Sequence, residues 1–127
     1  MKFPIKVIYV CGSISAATVE QRDMNIQKGK DVGFAIWHLG AMPLVPHMNS
    51  MGMFQAGVTA EAIYLGDLAL VSKCDAMYLM EGWESSFGCN LEVAWAKHKN
   101  IPIFNSFDAL EAYVCSQALH FYQKEKH

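Results

Sequence analysis

The sequence has few charges, and they are not clustered. Charged residues make up 17% of the 127 residues, and 10 basic against 12 acidic side chains give a formal net charge of −2. The basic residues are scattered along the chain, whereas a nucleic-acid interface needs a basic face. We therefore expect no polymeric nucleic acid as a partner. A small anionic ligand is still compatible with the sequence, because it needs only one local pocket.

Long apolar runs are also missing. No window approaches the roughly 18 apolar residues of a membrane-spanning helix. The N-terminal stretch MKFPIKVIYVCGSISAA resembles a short signal peptide, but Lys6 interrupts it and leaves only Val7 to Cys11. A signal peptide needs about 7–15 apolar residues in its central region. We expect neither a membrane partner nor a signal peptide, and interpret this stretch as a buried first strand.

The four cysteines do not form a recognisable ligand or disulfide pattern. None belongs to a CxxC pair, and no His/Cys group has the spacing of zinc ligands. They are Cys11, Cys74, Cys89 and Cys115. We expect reduced thiols in a cytoplasmic protein, with no metal and no cofactor.

The composition predicts a folded chain that associates with itself. Hydrophobic residues make up 53% of the sequence, which excludes a disordered chain. A chain of this length buries roughly two-thirds of its unfolded surface, so residues 1–127 are expected to form a single domain. Because the composition is apolar for a soluble monomer, we expect a homo-oligomer, a dimer or higher, with the first or last helix at the interface.

Strands and helices are predicted to alternate along the chain. The predicted strands are 5–11, 41–45, 76–80 and 101–104, and the predicted helices are 18–39, 59–73, 89–98 and 107–122. Thr18 and Gln21 have capping-box spacing, Gly40 ends the first helix, and Gly29 and Gly33 suggest a kink in it. This alternation predicts a three-layer α/β sandwich, flavodoxin-like or Rossmann-like, with a parallel sheet of four to five strands. The GxGxxG of a full dinucleotide-binding fold is missing.

In such sheets, ligands bind beyond the carboxyl ends of the strands. This edge would carry the segments 11–13, 46–47 and 81–88, and the start of the helix that bears Glu92. Asp75, at the start of a strand, would lie at the opposite edge as a turn residue. The sequence therefore predicts where a ligand binds before any motif is considered.

Small and polar residues follow the first two strands. Gly12 would let the backbone approach a ligand, and Ser13 and Ser15 could hold an oxyanion at the next helix start. The alternative is an ordinary turn, in which Gly and Ser are common. His47 is either a ligand-binding group or a structural histidine.

Two apolar features near this edge also have two interpretations. Trp83 could stack on a base, or could bury itself against its own loop. A methionine-rich stretch is either a deformable cover over a flat ligand or ordinary packing. Its residues are Met48, Met51, Met53 and Phe54.

Two acidic residues are candidates for acid–base or nucleophilic chemistry. Ser85 or Ser86 would cap the helix of Glu92, whose pKa we expect to be normal or lowered near the helix N-terminus, so that the carboxylate could act as a nucleophile. The alternative is a surface charge that complements the helix dipole. Asp67 lies among apolar residues, which would raise its pKa toward that of a general acid. Alternatively, it is a solvated acid near Lys73.

The order and spacing of these residues resemble a known family. Tyr9-x-x-Gly12-Ser13, Asp67 upstream of Cys74-Asp75, and Ser86-x-Gly88-x-x-x-Glu92 are similar to the nucleoside 2-deoxyribosyltransferase superfamily, in particular a small uncharacterised branch of it. The run Cys11-Gly12-Ser13-Ile14 also resembles the 2'-deoxynucleoside 5'-monophosphate N-glycosidases. The resemblance covers roughly residues 5 to 105.

The resemblance implies a role for each matched residue. Glu92 would attack C1' of the sugar, Asp67 would lie near the leaving base, and Tyr9 would orient the glutamate. Ser86 would contact a 5'-phosphate, because a hydroxyl can donate to a phosphate that a carboxylate would repel. The substrate-binding set would be Gly12, Ser13, Ile14, Ser15, His47, Trp83, Ser86 and Gly88.

The expected activity is cleavage or transfer at the N-glycosidic bond of a (deoxy)nucleoside or its 5'-monophosphate, through a glycosyl-enzyme intermediate. One departure affects phosphate binding: Ser15 and Ala16 stand where the monophosphate glycosidases carry arginine and glycine, so a cationic clamp is missing from this turn. The first alternative is therefore a non-catalytic nucleotide-binding module on the same fold. A further alternative is a flavodoxin-like interaction protein, although the loop lacks the hydroxyl-rich cradle expected for FMN.

Overall fold

The structure is a computed structural model that describes residues 5–49 and 56–126, with side chains described up to residue 116. Strands and helices alternate along the chain as the sequence predicts. The strands are β1 (Val7–Cys11), β2 (Met42–Leu44), β3 (Ala76–Leu79) and β4 (Ile103–Phe104). The helices are α1 (Val19–Leu39), α2 (Pro46–Asn49), α3 (Ala60–Val71), α4 (Phe87–His98) and α5 (Phe107–Lys126).

The four strands form one parallel sheet in the order β2-β1-β3-β4. Tyr9 of β1 pairs with Leu44 of β2 on one side and with Met77 of β3 on the other. Side chains alternate between the two faces of β1. Ile8 and Val10 pack with α1 and α5, whereas Tyr9 and Cys11 pack with α3 and α4. The predicted three-layer α/β sandwich with a four-stranded parallel sheet is confirmed.

The first helix begins and ends where its capping residues predict. The side chain of Thr18 accepts a hydrogen bond from the backbone N–H of Gln21 at 3.1 Å. Gly40 adopts the left-handed conformation (φ 92°) and its N–H bonds the carbonyls of Ile36 and Trp37. The side chain of Gln21 donates to Asn25 at 2.9 Å.

The glycines of α1 serve close packing within one uninterrupted helix, Val19–Leu39. A Cβ atom at Gly29 would lie 2.8 Å from the ring of His47. A Cβ atom at Gly33 would lie 3.0 Å from the side chain of Val45. The two glycines therefore let α1 lie directly against the segment that follows β2.

Several element boundaries differ from the predicted ones. The segment after β2 begins with a short helix, α2, in which Pro46 takes the first position that suits proline. Helix α4 begins at Phe87, two residues before the predicted start, because Ser86 is its N-cap. β1 begins at Val7, after an exposed Ile5.

The amino ends of the strands are fastened by Asp75. Its carboxylate accepts a hydrogen bond from the backbone N–H of Val7 at 2.7 Å. This contact joins the starts of β1 and β3, at the edge opposite the predicted ligand edge, as expected for this residue. In the part of the chain that the structure describes, no helix is long and apolar enough to cross a membrane.

We expect Gly29→Ala to lower the free energy of unfolding by on the order of 1 kcal/mol. Overpacking against the His47 ring costs about 1–3 kcal/mol, which exceeds the ~1 kcal/mol that alanine gains over glycine within a helix. Urea unfolding followed by circular dichroism measures the change. Gly66→Ala in α3 is the matched control, because nothing lies within 4 Å of its added methyl group. Equal stabilisation of both variants would contradict the packing role of Gly29.

Candidate functional site

A cavity of about 790 Å³ opens at the carboxyl ends of β1 and β3, where the sequence places the ligand edge. We call it the site cavity. It is bounded by the loop after β1 (residues 12–16), one face of α1, the start of α2, the middle of α3 and the N-terminus of α4. Its volume suits a small organic ligand.

Most of the predicted site residues line the site cavity. They are Gly12, Ser13, Ile14, Ser15, His47, Asp67, Ser86, Gly88 and Glu92. The structure therefore brings together residues that are up to 80 positions apart in sequence (12 to 92). Tyr9 lies beneath the cavity, fully buried and beside Glu92.

Glu92 is buried in the second turn of α4, with 7% of its surface exposed. Burial, and then the nearby Cys89 and Asp67, raise the pKa of Glu92 to about 8. The predicted normal or lowered pKa is wrong. Removing the carboxylate from water outweighs the field of the helix N-terminus, which fades beyond the first turn. The alternative of a surface charge is also wrong, because the side chain faces the cavity from a buried position.

The hydroxyl of Tyr9 is the polar group beneath Glu92. Its ring is fully buried, and its oxygen makes no hydrogen bond within the described residues. Burial, followed by the charges of Glu92 and Asp67, raises the pKa of Tyr9 far above its usual value. The hydroxyl therefore keeps its proton and can donate it to a carboxylate above it.

Asp67 faces the same cavity from α3. It is 9% exposed, and burial raises its pKa to about 6. The predicted desolvation of Asp67 is confirmed, and the alternative of a solvated acid near Lys73 is wrong. The charge of Asp67 also raises the pKa of Glu92, so the two carboxyl groups interact electrostatically.

The loop after β1 is held in place from both sides. Asn25 of α1 donates to the carbonyl of Ile14 at 3.3 Å, and the backbone N–H of Met80 donates to the carbonyl of Cys11 at 2.9 Å. A Cβ atom at Gly12 would lie 2.5 Å from the Met80 sulfur. Glycine at this position therefore leaves room for the Met80 side chain, independently of any ligand that the loop binds.

The N-terminus of α4 forms the opposite wall. Ser86 caps the helix by accepting the N–H of Cys89 at 3.2 Å. A Cβ atom at Gly88 would lie 3.2 Å from the Tyr64 ring. Tyr64, which also packs edge-on against Phe87 with ring centroids 5.6 Å apart, lines the cavity, and the sequence reasoning missed it.

His47 is a buried polar side chain whose ring nitrogens are available for hydrogen bonds. It is 2% exposed, and both ring nitrogens lack a hydrogen-bond partner within the described residues. Burial lowers the pKa of His47, an effect that the nearby backbone of Ser13 opposes in part. A neutral imidazole with an unpaired donor and an unpaired acceptor lines the cavity wall, so it can bind a polar group of a ligand.

Two cationic side chains line the site cavity. Arg22 and Lys30 of α1 line it, although the sequence reasoning assigned no cation to this site. With Ile26 between them they follow a spacing of four residues, which places all three on one helix face. That spacing could have indicated them once the ligand edge was known.

Trp83 is the predicted site residue that the structure places elsewhere. It is half-buried and packs against the core cluster of β1, β3, α3 and α4, and it is not part of the cavity wall formed by the described residues. The indole of Trp83 follows a 3-10 turn toward the core. This agrees with the alternative interpretation that Trp83 is buried rather than stacked on a ligand. Met48 lines a second cavity between α1 and β2. The other members of the proposed cover, Met51, Met53 and Phe54, lie outside the described residues.

A cluster of metal-binding side chains was also missed. The sulfur atoms of Cys11 and Cys89 and a carboxylate oxygen of Glu92 all lie within 4.8 Å of one another, and all three residues are buried. Because Cys11 lies 78 positions from Cys89, no local spacing could reveal the cluster.

We expect Glu92→Gln to stabilise the protein at alkaline pH, by on the order of 2 kcal/mol at about pH 9. The folded-state pKa of Glu92 is raised, so its contribution to stability is present at low pH and is lost as pH rises through about 8. The wild-type free energy of unfolding should therefore fall between about pH 4.5, the ordinary pKa of this carboxyl group, and about pH 8, and the variant should flatten this fall. Urea unfolding in EDTA measures it. The exposed Glu84→Gln is the control, and identical pH profiles of both variants would contradict the burial of an ionisable Glu92.

Comparison with known proteins identifies the family but no activity. Comparison with curated proteins finds no match. The family described as "Domain of unknown function (DUF4406)" matches residues 6–105, which include all four strands and every residue named above as lining the site cavity. The chain belongs to this family of domains of unknown function.

Proposed function

We propose that this protein cleaves or transfers at the N-glycosidic bond of a (deoxy)nucleoside, with the 5'-monophosphate as the preferred substrate form. The observation that carries the proposal is the pair of buried carboxyl groups, Glu92 and Asp67, in one cavity at the ligand edge of the sheet. Two carboxyl groups with different environments are what a retaining glycosidic mechanism uses. The resemblance of the surrounding motifs to the nucleoside 2-deoxyribosyltransferase superfamily supports the same chemistry.

In the first step, a carboxylate oxygen of Glu92 attacks C1' of the sugar. The bond between C1' and the base nitrogen breaks, its electron pair passes to the base, and the base takes a proton from Asp67. The product is a glycosyl ester of Glu92 and a neutral base. In the second step, water or another base attacks C1', Asp67 takes its proton, and the Glu92 carboxylate is restored. The chemistry of these steps needs no cofactor.

The position of one proton is central to this mechanism. In the free protein the pKa of Glu92 is about 8 and that of Asp67 about 6, so the shared proton resides mainly on Glu92. The reaction needs this proton on Asp67, so that Asp67 can protonate the leaving base. A base seated against Asp67 removes the remaining water there and raises the pKa of Asp67. Donation from the Tyr9 hydroxyl stabilises the ionised form of Glu92, so substrate binding moves the proton in the required direction.

A phosphate on the substrate has complementary groups in the same cavity. Ser13, Ser15 and Ser86 offer hydroxyl groups at the loop and at the helix N-terminus, and Arg22 and Lys30 supply positive charge from α1. Charge-assisted hydrogen bonds of this kind are the strong ones. Arg22 thus provides from a helix the cation that the turn at Ser15 and Ala16 lacks.

The proposal includes self-association and a reducing compartment. Phe34 and Trp37 of α1 and Met48 expose more than half of their surfaces beside the second cavity. Such a patch on one face favours contact with another copy of the chain, with the first helix at the interface. The free thiols of Cys11, Cys74 and Cys89 are consistent with the cytoplasm.

The direct test incubates the protein with a panel of deoxynucleosides and their 5'-monophosphates and measures the free base released by chromatography. We expect base release by the wild type, none by Glu92→Gln, and a decrease of about 10²–10⁴-fold in Asp67→Asn through loss of the general acid. Glu84→Gln is the control and should resemble the wild type. Base exchange between nucleosides would indicate transfer. Undiminished release by Glu92→Gln would disprove the mechanism, and nucleotide binding without release would favour the non-catalytic binding module.

The phosphate preference is tested separately with Arg22→Met. Loss of this cation should raise KM for 5'-monophosphates about 10-fold or more, equivalent to ~1.4 kcal/mol, and leave nucleosides unaffected. Lys28→Met is the matched control, because Lys28 is exposed on the same helix and does not line the site cavity. Equal effects on both substrate forms would remove Arg22 from phosphate recognition.

A further inference from the structure

The buried cysteines near Glu92 are not used by the proposed reaction. Cys11 is the last residue of β1, and Cys89 lies in the first turn of α4. Glu92 follows Cys89 by three residues, which places both side chains on the same helix face. The Cys11 thiol lies 3.8 Å from the carbonyl of Cys89, which is a long contact, and it also interacts with the side chains of Cys89 and Glu92.

The three side chains have the separations of a metal site. Their ligand atoms lie within 4.8 Å of one another. Zinc bonds of about 2.3 Å to sulfur in a tetrahedron place two sulfur atoms about 3.8 Å apart. Bringing the ligand atoms from their present separations to these distances therefore takes movements of about 1 Å, which rotation of the side chains would provide.

The ligand types select the kind of metal. Two sulfur ligands and one carboxylate favour borderline-soft ions such as Zn²⁺ and Co²⁺, whereas Mg²⁺ and Ca²⁺ prefer sites made only of oxygen. Three protein ligands leave a fourth position. Of the three residues, Glu92 lines the site cavity, whereas Cys11 and Cys89 are buried behind its wall.

We propose that Cys11, Cys89 and Glu92 form a binding site for Zn²⁺ or a similar thiophilic divalent ion at the floor of the site cavity. On binding, the two thiols and the Glu92 carboxyl group release their protons to solvent, and the metal binds two thiolates and a carboxylate. Two thiolates and one carboxylate then surround the doubly charged ion, and a water molecule or a ligand group completes the tetrahedron. The binding part of this inference is independent of the proposed function.

The regulatory part rests on the proposed function. A Glu92 oxygen bound to Zn²⁺ has its lone pair engaged and cannot attack C1'. The metal also occupies the space between the carboxylate and the thiols beneath the substrate. Zinc binding would therefore inhibit base release reversibly, and removal of the metal would restore it.

Cobalt titration of the reduced, metal-free protein tests the site without an activity assay. We expect a near-ultraviolet band from sulfur-to-cobalt charge transfer that saturates at one Co²⁺ per chain, disappears on addition of Zn²⁺, and resists excess Mg²⁺. Cys89→Ala and Cys11→Ser should each lose the band. Cys74→Ala should keep it, because Cys74 is a buried thiol just beyond the C-terminal end of α3, outside the cluster, and its sulfur donates to the Leu70 carbonyl at 3.3 Å.

The titration can overturn the proposal in three ways. These are no band in the wild type, a band that persists in Cys89→Ala, or a band lost in Cys74→Ala. Circular dichroism of each variant checks that it is folded. If Cys11→Ser fails to fold, Cys89→Ala, whose substitution lies on a helix that tolerates alanine, decides the question.

Inhibition is then measured on base release. Zn²⁺ should lower the wild-type rate in proportion to its occupancy, EDTA should restore it, and Cys89→Ala should release base at a rate insensitive to Zn²⁺. A wild-type rate unaffected at full occupancy would overturn the regulatory part. If no substrate is cleaved in any condition, the proposed function fails, while the cobalt titration still decides the metal site.

Discussion

The packing of α4 against the carboxyl end of β1 removes the carboxyl group of Glu92 from water, and the rest of the site depends on this contact. Tyr9 and Cys11 of β1 and Cys89 and Val93 of α4 belong to one buried cluster, and Glu92 lies on the same helix between them. The contact places a phenol and two thiols beneath the carboxylate and leaves its other side open to the cavity. The proposed roles of nucleophile, proton partner and metal ligand all depend on this one buried position.

Helix α1 supplies the other half of the cavity. Its close approach at Gly29 fixes the His47 ring against the helix, and its exposed face carries Arg22 and Lys30 into the same space. The carboxyl groups therefore come from α3 and α4 on one side of the sheet, and the cations from α1 on the other. The proposed substrate, with a base at one end and a phosphate at the other, would match this division of charge.

The features that the sequence predicts are those encoded by local signals. Thr18 and Gly40 mark the ends of α1 through capping that involves only neighbouring residues, and apolar runs mark the strands. The parallel sheet then places the ligand edge by a general rule of topology. The position of Glu92 near that edge follows from the same rule, whereas Asp67 was singled out by its apolar neighbours and by the family resemblance.

The features that the sequence reasoning missed arise from packing between distant segments. The raised pKa of Glu92 depends on burial against β1, which helix position alone does not reveal. The direction of the Trp83 side chain is set by a short 3-10 turn. Cys11 lies close to Cys89 only because α4, rather than another helix, packs against the end of β1. A local pattern contains no signal for such contacts.

The cap of α4 also has a consequence for the hydroxyl proton of Ser86. The Ser86 oxygen accepts the N–H of Cys89, so one lone pair faces the helix and the O–H bond must point elsewhere. An aspartate would cap the helix about equally well, but would present a second negative oxygen to the cavity. Compared with aspartate, serine therefore gives the helix no better cap, but it makes this wall of the cavity a hydrogen-bond donor, which suits an anion.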